Sequence, residues 1–438
     1  MLDLIAILCG TLLGYGLLKL IRFALKKFNF LRKRQSSNLN KFARQQFSEP
    51  IKPTNDYRQQ FPEPIEQTND FGFRLLSQLN SDREPNENII ISSFSIALAL
   101  AMIYNGAKGK TKEAISQTLG LTGLSLEEIN ESNRILISIQ DQFDPKVELN
   151  IANSIWVRQE IPLVSEFIDR LENSYASKIT SLDFEDFKAA NIINQWIANQ
   201  TRNKIPQIVS HEIVRNNILL LINAIYFKGK WTKEFDKEKT KDRLFTLLDG
   251  SQKKHPMLAD WGYYDYYETK KFQAISLPYG NRRISLYIFL PTSNSSIKEF
   301  QKSLNSRNWQ KWMASFEELE GFIALPRFKL EYETYLNNVL TNLGMGIAFD
   351  KEDANFQGIS TEPLMISKIL HKTLVEVNEK GTEAVAVTAI MIGSSSMGPT
   401  KEKKKFKMIV DRPFFCAIRD NQTGVILFMG FIREPILI

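Results

Sequence analysis

The stretch Val375–Phe415 reads VEVNEKGTEAVAVTAIMIGSSSMGPTKEKKKFKMIVDRPFF, and the reading of the whole chain turns on it. From VEVNEKGTE to TAIMIG it carries the β-branched, alternating residues of a strand, yet Gly381 interrupts it and nothing of Asn-Gly type closes a hairpin. Ser394–Ser396, Gly398-Pro399 and Lys401–Lys405 then make a long polar loop. Loops beyond about 12–15 residues in compact domains are functional or disordered. Strand chemistry in loop surroundings points to a segment that is a strand in only one of two states.

The chain has 438 residues, 43% of them hydrophobic and 24% charged, which is ordinary globular composition. Length alone allows two or three domains, or one large one. The net charge of +7 is misleading until it is placed: residues 1–47 hold nine Lys or Arg against Asp3 alone, a local +8, which leaves −1 for the remainder. The body is therefore not a basic surface of the nucleic-acid-binding kind.

The basic end begins with LDLIAILCGTLLGYGLLKLIRFAL, Leu2–Leu25. Its uncharged run, Leu4–Leu18, spans about 22 Å as a helix. Extended to Leu25, with Lys19 and Arg22 snorkelling, it covers roughly 33 Å, enough to cross a bilayer. Residues 1–30 thus read as an uncleaved membrane anchor, with a cleaved signal peptide or a surface-lying helix as alternatives. No basic start precedes the run and no small-x-small cleavage site follows it. The basic cluster follows the run, so the positive-inside rule places the domain on the cytoplasmic side of a membrane; a secreted, extracellular protein is the alternative.

Residues 31–67 read as a polar linker containing a duplication: QQFSEPIKPTND (Gln45–Asp56) recurs as QQFPEPIEQTND (Gln59–Asp70). Thr68 is placed to cap a first helix, FGFRLLSQLN. From there to the end the pattern is mixed α and β with no Gly/Ser-rich hinge, hence one domain, 68–438. SSFSIALALAMIYNGAKG (Ser92–Gly109) reads as a capped, buried helix. Val147–Val157, Ile218–Phe227 and Arg283–Leu290 read as strands, whereas Phe167–Leu171, Ala190–Asn199 and Tyr335–Leu343 have helical spacing. ILLLINAIYF is apolar on every face, which predicts a central strand covered on both sides.

Five ordered stretches resemble one family, the serpins: NIIISSFSIALALAMIYNGAKGKTKEAI (Asn88–Ile115), LINAIYFKGKWTKEF (Leu221–Phe235), LPRFKLEYETYL (Leu325–Leu336), LHKTLVEVNEKGTEA (Leu370–Ala384) and VDRPFFCAIRDNQTGVILFMGFIREP (Val410–Pro435). The resemblance covers residues 68–438. It implies an α+β fold of three β-sheets surrounded by about eight or nine helices, with an exposed reactive-centre loop. It also implies a suicide inhibitor of serine proteases: the protease cuts the loop, is held as an acyl-enzyme, and is carried away as the cut loop inserts into the main sheet. The non-inhibitory alternative is a binding or chaperone-like protein on the same fold.

Side-chain alternation in the loop suits insertion. After Gly381, the residues Thr382, Ala384, Ala386 and Thr388 share one face, small and uncharged, while Glu383, Val385, Val387 and Ala389 share the other. Neither a charge nor a proline stands on the first face, where either would oppose burial in a sheet. Glu379, Gly381, Thr382, Glu383, Ala384, Val385 and Ala386 form the loop hinge by resemblance. The family's hinge-to-cleavage spacing lands on Ser395–Ser396, with Ser394, Met391 and Met397 as alternatives. Gly381–Ser395 would span about 50 Å as a strand, close to the diameter expected for a domain of this size. The segment MGPTKEKKK makes the span from Ser395 to Pro413 longer than the family's usual one. The uncharged bait favours elastase- or subtilisin-like proteases, and Lys401–Lys405 offers a second site to trypsin-like ones.

By resemblance, Ser92, Ser95, Asn223 and His371 form a polar latch where the sheet must open. Trp231 and Arg327 lie at the top of that sheet, Arg327 within about 8 Å, one Debye length, of Glu379. Enzyme readings find little support. His211, His255 and His371 have no metal-ligand spacing, and no P-loop, dinucleotide fingerprint or nucleophile elbow occurs. Cys9 and Cys416 form no disulfide framework and fit a reducing compartment. No cofactor, metal or nucleic acid is expected; the expected partners are a target serine protease and a membrane reached through residues 2–25, and the domain reads as a monomer.

Overall fold

A computed structural model describes residues 62–81, 87–382 and 404–437 of the chain. The chain divides into two units, residues 1–56 and 57–438, of which the first lies outside the described residues.

Helix α1 (Pro62–Ser81) begins inside the segment that reads as a linker. Pro62 and Pro64 do not prevent this, because first-turn amides have no intrahelical acceptor to lose. Thr68 is consequently inside the helix and not its cap, its hydroxyl donating back to the Pro64 carbonyl at 2.8 Å. Asn69, one residue on, is buried and clasps the C-terminal hairpin: Nδ2 donates to the Gly424 carbonyl at 3.0 Å and Oδ1 accepts from the Ile426 amide at 2.9 Å.

Beyond β1 (Ile89–Ile91), helix α2 (Ser93–Tyr104) is buried on almost every face and is capped by Ser92, whose Oγ accepts from the Ser95 amide at 3.2 Å. Helices α3 (Gly109–Leu119) and α4 (Leu126–Ser138) lead to β2 (Val147–Arg158), α5 (Ser165–Tyr175), β3 (Lys178–Leu182), α6 (Lys188–Gln200), the short α7 (His211–Arg215) and β4 (Leu219–Lys230). A run of strands follows: β5 (Lys241–Thr246), β6 (Gln252–Glu268), β7 (Phe272–Tyr279) and β8 (Ile284–Pro291). Then come α8 (Ile297–Ser303), α9 (Ser306–Met313), β9 (Glu317–Pro326), β10 (Phe328–Tyr335) and α10 (Asn337–Leu340). The chain closes with β11 (Lys368–Val377), the two-residue β12 (Gly381–Thr382), β13 (Phe406–Ile409), β14 (Phe414–Asp420) and β15 (Ile426–Ile432). Tyr335 ends a strand and does not start a helix; the helical run after it begins at Asn337 and continues from α10 into a π-helical turn, Thr341–Met345.

The main sheet runs β10-β11-β4-β2-β3, with β12 added on β4. Strand β4 is central and covered on both sides, as its all-apolar run predicts. Leu219, Leu221, Ile225 and Phe227 enter the large core with α2, while Leu220, Ile222 and Ala224 enter a second core with Ile193 and Ile197 of α6. The other strands form one nine-stranded sheet and not the two smaller sheets expected, because the seventeen-residue β6 pairs in turn with β5, β9 and β7. Its members β14 and β15 are buried throughout. Burial raises the Cys416 thiol of β14 to about 12.

The expectation of a membrane-associated protein is corrected here. Among the described residues no helix is long and apolar enough to cross a membrane. Helix α2, apolar apart from Ser93, Ser95 and the Tyr104 hydroxyl, is only twelve residues long, about 18 Å, and is buried in the core. Residues 2–25, which carried the expectation of an anchor, lie outside the described residues.

The Asn69 clasp gives a test of how α1 is held. Asn69→Ala strands a buried carbonyl and a buried amide, each costing about 1–3 kcal/mol. A clear fall in the thermal midpoint is expected; an unchanged midpoint would show that the clasp contributes nothing.

Candidate functional site

The site is a seam in the main sheet. Strands β4 and β11 are parallel neighbours from Leu220↔Lys368 to Tyr226↔Leu374, and there their pairing stops. Both strands continue, β4 to Lys230 and β11 to Val377. Gly381 and Thr382 take the place beside β4 beyond the point where this pairing stops, antiparallel to β4, opposite Lys230 and Gly229. The chain reaches this place by a tight turn: the Asn378 amide donates to the Gly381 carbonyl at 2.9 Å and the Gly381 amide to the Asn378 carbonyl at 3.2 Å. The Asn378 side chain stabilises the turn by accepting from the Lys380 amide at 3.0 Å, so a hairpin closes without an Asn-Gly pair. Gly381 serves close approach here and not looseness. Its φ is +140°, and a Cβ would sit 2.0 Å from the Gly229 carbonyl oxygen.

The turn is pinned at every residue. Glu379, 3% exposed, pairs with Arg327 Nη2 at 3.1 Å and accepts from the Thr240 hydroxyl at 3.0 Å, while its carbonyl accepts from the Phe235 amide at 2.7 Å. Arg327 therefore lies well inside the expected distance. Trp231 donates from Nε1 to the Asn378 carbonyl at 2.8 Å and from its amide to the Lys380 carbonyl at 3.0 Å. Its ring stacks on Tyr279, centroids 4.4 Å apart. The Tyr279 hydroxyl, kept protonated by burial, shares a 2.9 Å hydrogen bond with the buried Thr382 hydroxyl. Thr240, Tyr279 and Asn378 carry no motif that would have singled them out.

Lower on the seam lies a buried polar row. Asn153 on β2, Asn223 on β4 and His371 on β11 are direct register partners across three strands. His371 Nδ1 is 2.5 Å from Asn223 Oδ1, which also accepts from the Ser95 hydroxyl at 2.9 Å. His371 Nε2 accepts from the Ser92 amide at 3.3 Å, so the ring is neutral with its proton on Nδ1. Asn223 Nδ2 donates to Asn153 Oδ1, and Asn153 Nδ2 donates to the Ser95 carbonyl at 3.4 Å. Burial drives the His371 pKa down to about 3. The structure thus brings together Ser92, Ser95, Asn223 and His371, and adds Asn153, which only the strand register reveals.

Glu383, Ala384, Val385, Ala386, the Ser395–Ser396 bond and its alternatives Ser394, Met391 and Met397 lie outside the described residues. Past them the chain returns at Lys404 and Lys405, which pair with Glu268 and Glu320. Phe406 then stacks on Tyr266 at 4.1 Å, and β13 joins β9 in parallel.

The fold is shared with known proteins. The family model for serpins, serine protease inhibitors, matches residues 66–435. An uncharacterized serpin-like protein of Methanosarcina acetivorans is 36% identical over 374 residues, 83% of this chain and 86% of its own. Human leukocyte elastase inhibitor is 33% identical, covering 81% of this chain and 95% of its own. The native structure of tengpin, a thermophilic serpin, superposes with a TM-score of 0.77 at 29% identity, covering 84% and 94% of the two chains. The fold, the seam and these matches together establish that the chain belongs to the serpin family, whose members are mainly protease inhibitors.

Proposed function

We propose that this chain inhibits serine proteases by a suicide mechanism. The protease serine attacks the carbonyl of Ser395, the Ser396 amine leaves, and the resulting ester is trapped when the residues after Thr382 insert between β4 and β11. One observation carries this reading: the loop's first two residues already take the place beside β4 where its pairing with β11 stops, in the antiparallel direction that further insertion would follow. The remaining residues of that face, Ala384, Ala386 and Thr388, are as small and uncharged as Thr382, so nothing in them obstructs the path. We assign the hinge to Glu379–Ala386, and the role of sheet latch to Ser92, Ser95, Asn223 and His371, joined by Asn153. Trp231 and Arg327 hold the turn from which insertion starts.

An elastase- or subtilisin-like target suits the small side chain of Ser395, and the likeness to leukocyte elastase inhibitor supports it. A trypsin-like second site is less favoured, because Lys404 and Lys405 are both engaged in ion pairs.

Incubation with elastase or subtilisin should give an SDS-stable covalent adduct and release a C-terminal fragment beginning at Ser396, readable by mass. Fragments without adduct would instead mark a substrate or a non-inhibitory binding protein. Thr382→Arg should turn the chain into a substrate, since an unpaired buried charge costs several kcal/mol; undiminished adduct would exclude insertion. The latch should also weaken in acid. Unfolded histidine titrates near 6.5 and folded His371 near 3, so its contribution is intact above about pH 6.5 and falls by about 1.4 kcal/mol per pH unit below it. The wild type should therefore lose more thermal stability between pH 7 and pH 5 than His371→Asn. Equal losses would remove His371 from the account.

A further inference from the structure

Helix α6 faces the chain that leads on to α7 across a cleft of about 500 Å³, within the size range of small-molecule sites. One wall is a stripe of α6, Asn191 and Gln195, with Phe187 immediately before the helix. The other wall is residues 206–211. Asn194 clamps the two together. Its Nδ2 donates to the Val209 carbonyl at 2.8 Å, and its Oδ1 accepts from the amides of Ile208 and Val209 at 2.9 and 3.1 Å. The cleft is thus braced by one side chain and leaves its other polar groups uncommitted.

Those groups are of three kinds. At the mouth, Phe187 is 75% exposed, while one face of its ring stacks on His211 with centroids 4.2 Å apart. An aromatic ring held from behind in this way keeps its other face flat and open, at small entropic cost. His211 Nδ1 is shielded from solvent and meets no hydrogen-bonding partner. Such an orphan in a folded protein calls for a ligand or an ordered water. The side-chain amides of Asn191, Gln195 and Gln207 line the cleft and, among the described residues, make no hydrogen bond to protein. No charged side chain lines it. Lys188 and Glu212, the sequence neighbours of Phe187 and His211, are opposite in sign and both stand outside the lining. An ion would find no counter-charge here, and a wholly apolar ligand would leave three amides without partners.

We infer that the cleft between α6 and residues 206–211 is a binding site for a neutral saccharide of one or two rings. Each sugar hydroxyl is both donor and acceptor, so neighbouring hydroxyls engage the NH2 and the oxygen of one amide together. The imidazole nitrogen of His211 donates or accepts according to its tautomer. The C–H-rich face of the sugar ring lies on the open face of Phe187, taking apolar area on both from water. Asn194, committed to the opposite wall, is a positioning residue. Binding here asks nothing of the reactive loop, so it stands whether or not the chain inhibits a protease.

The full chain is titrated with maltose, cellobiose, lactose, mannobiose and N,N′-diacetylchitobiose, and with adenosine as a flat, neutral control. Binding is followed by saturation-transfer NMR and calorimetry. The chains compared are the wild type, Phe187→Ala, and Asn191→Ala combined with Gln195→Ala, all at exposed positions. The expected result is a dissociation constant of roughly 1 mM or tighter for at least one sugar, the range open to a ligand of this size, weakened roughly tenfold by each variant with the thermal midpoint unchanged. Should Phe187→Ala fail to fold, the amide variant decides alone. No sugar bound at about 20 mM overturns the site. Sugar binding that either folded variant leaves within about twofold of wild type also overturns it, since the sugar then sits elsewhere. Adenosine binding more tightly than every sugar overturns the saccharide assignment in favour of a flat heterocycle.

Discussion

The structure depends on a hydrogen-bond ladder that stops short. Strands β4 and β11 are parallel and pair over seven residues, after which their direct pairing ends and β12 takes the place beside β4. A strand inserted there from the end of β11 has to turn back on itself, and is thereby antiparallel to both neighbours. The turn at Asn378–Gly381 imposes this direction on β12. Insertion there would exchange one parallel ladder for two antiparallel ones, and antiparallel pairing is slightly more stable per residue. If such insertion occurs, its drive resides in the backbone, and the side chains decide only whether it is obstructed.

The sheet also specifies where it can part. On its other side β4 pairs with β2 over eleven residues, from Val147↔Gly229 to Val157↔Leu219, a longer and antiparallel contact. The β4–β11 side is the weaker of the two, and the buried row Asn153–Asn223–His371 crosses it. Ser92 and Ser95 hold that row from α2, below the sheet. Hydrogen bonds in so dry a place are strong when complete and costly when broken. Such a row resists partial separation, and permits a full one only if new partners arrive.

Much of this was legible in the sequence, for identifiable reasons. A run in β4 that is apolar on both faces apart from Asn223 points to a strand buried on both sides, and the alternation after Gly381 is visible without coordinates. Ser92, Ser95, Asn223, His371 and Arg327 are singled out by a family pattern. Asn153 is not, because one asparagine on a strand that also carries Asn150 has no distinguishing signal until register sets it opposite Asn223. The start of α1 was missed because Pro62 and Pro64 look like breakers, although at a first turn they break nothing. The reason for a glycine at position 381 is not legible in the sequence; only the nearness of the Gly229 carbonyl reveals it.

Cys416 has a consequence for where such a molecule can work. Sealed in β14, with its thiol pushed up to about 12, it offers almost no thiolate to an oxidant at neutral pH. Sulfenic acid formation, glutathionylation and stray intermolecular cross-linking all begin from an accessible thiolate. The folded domain is thus indifferent to redox poise at this position, and a count of cysteines says little about the compartment it occupies.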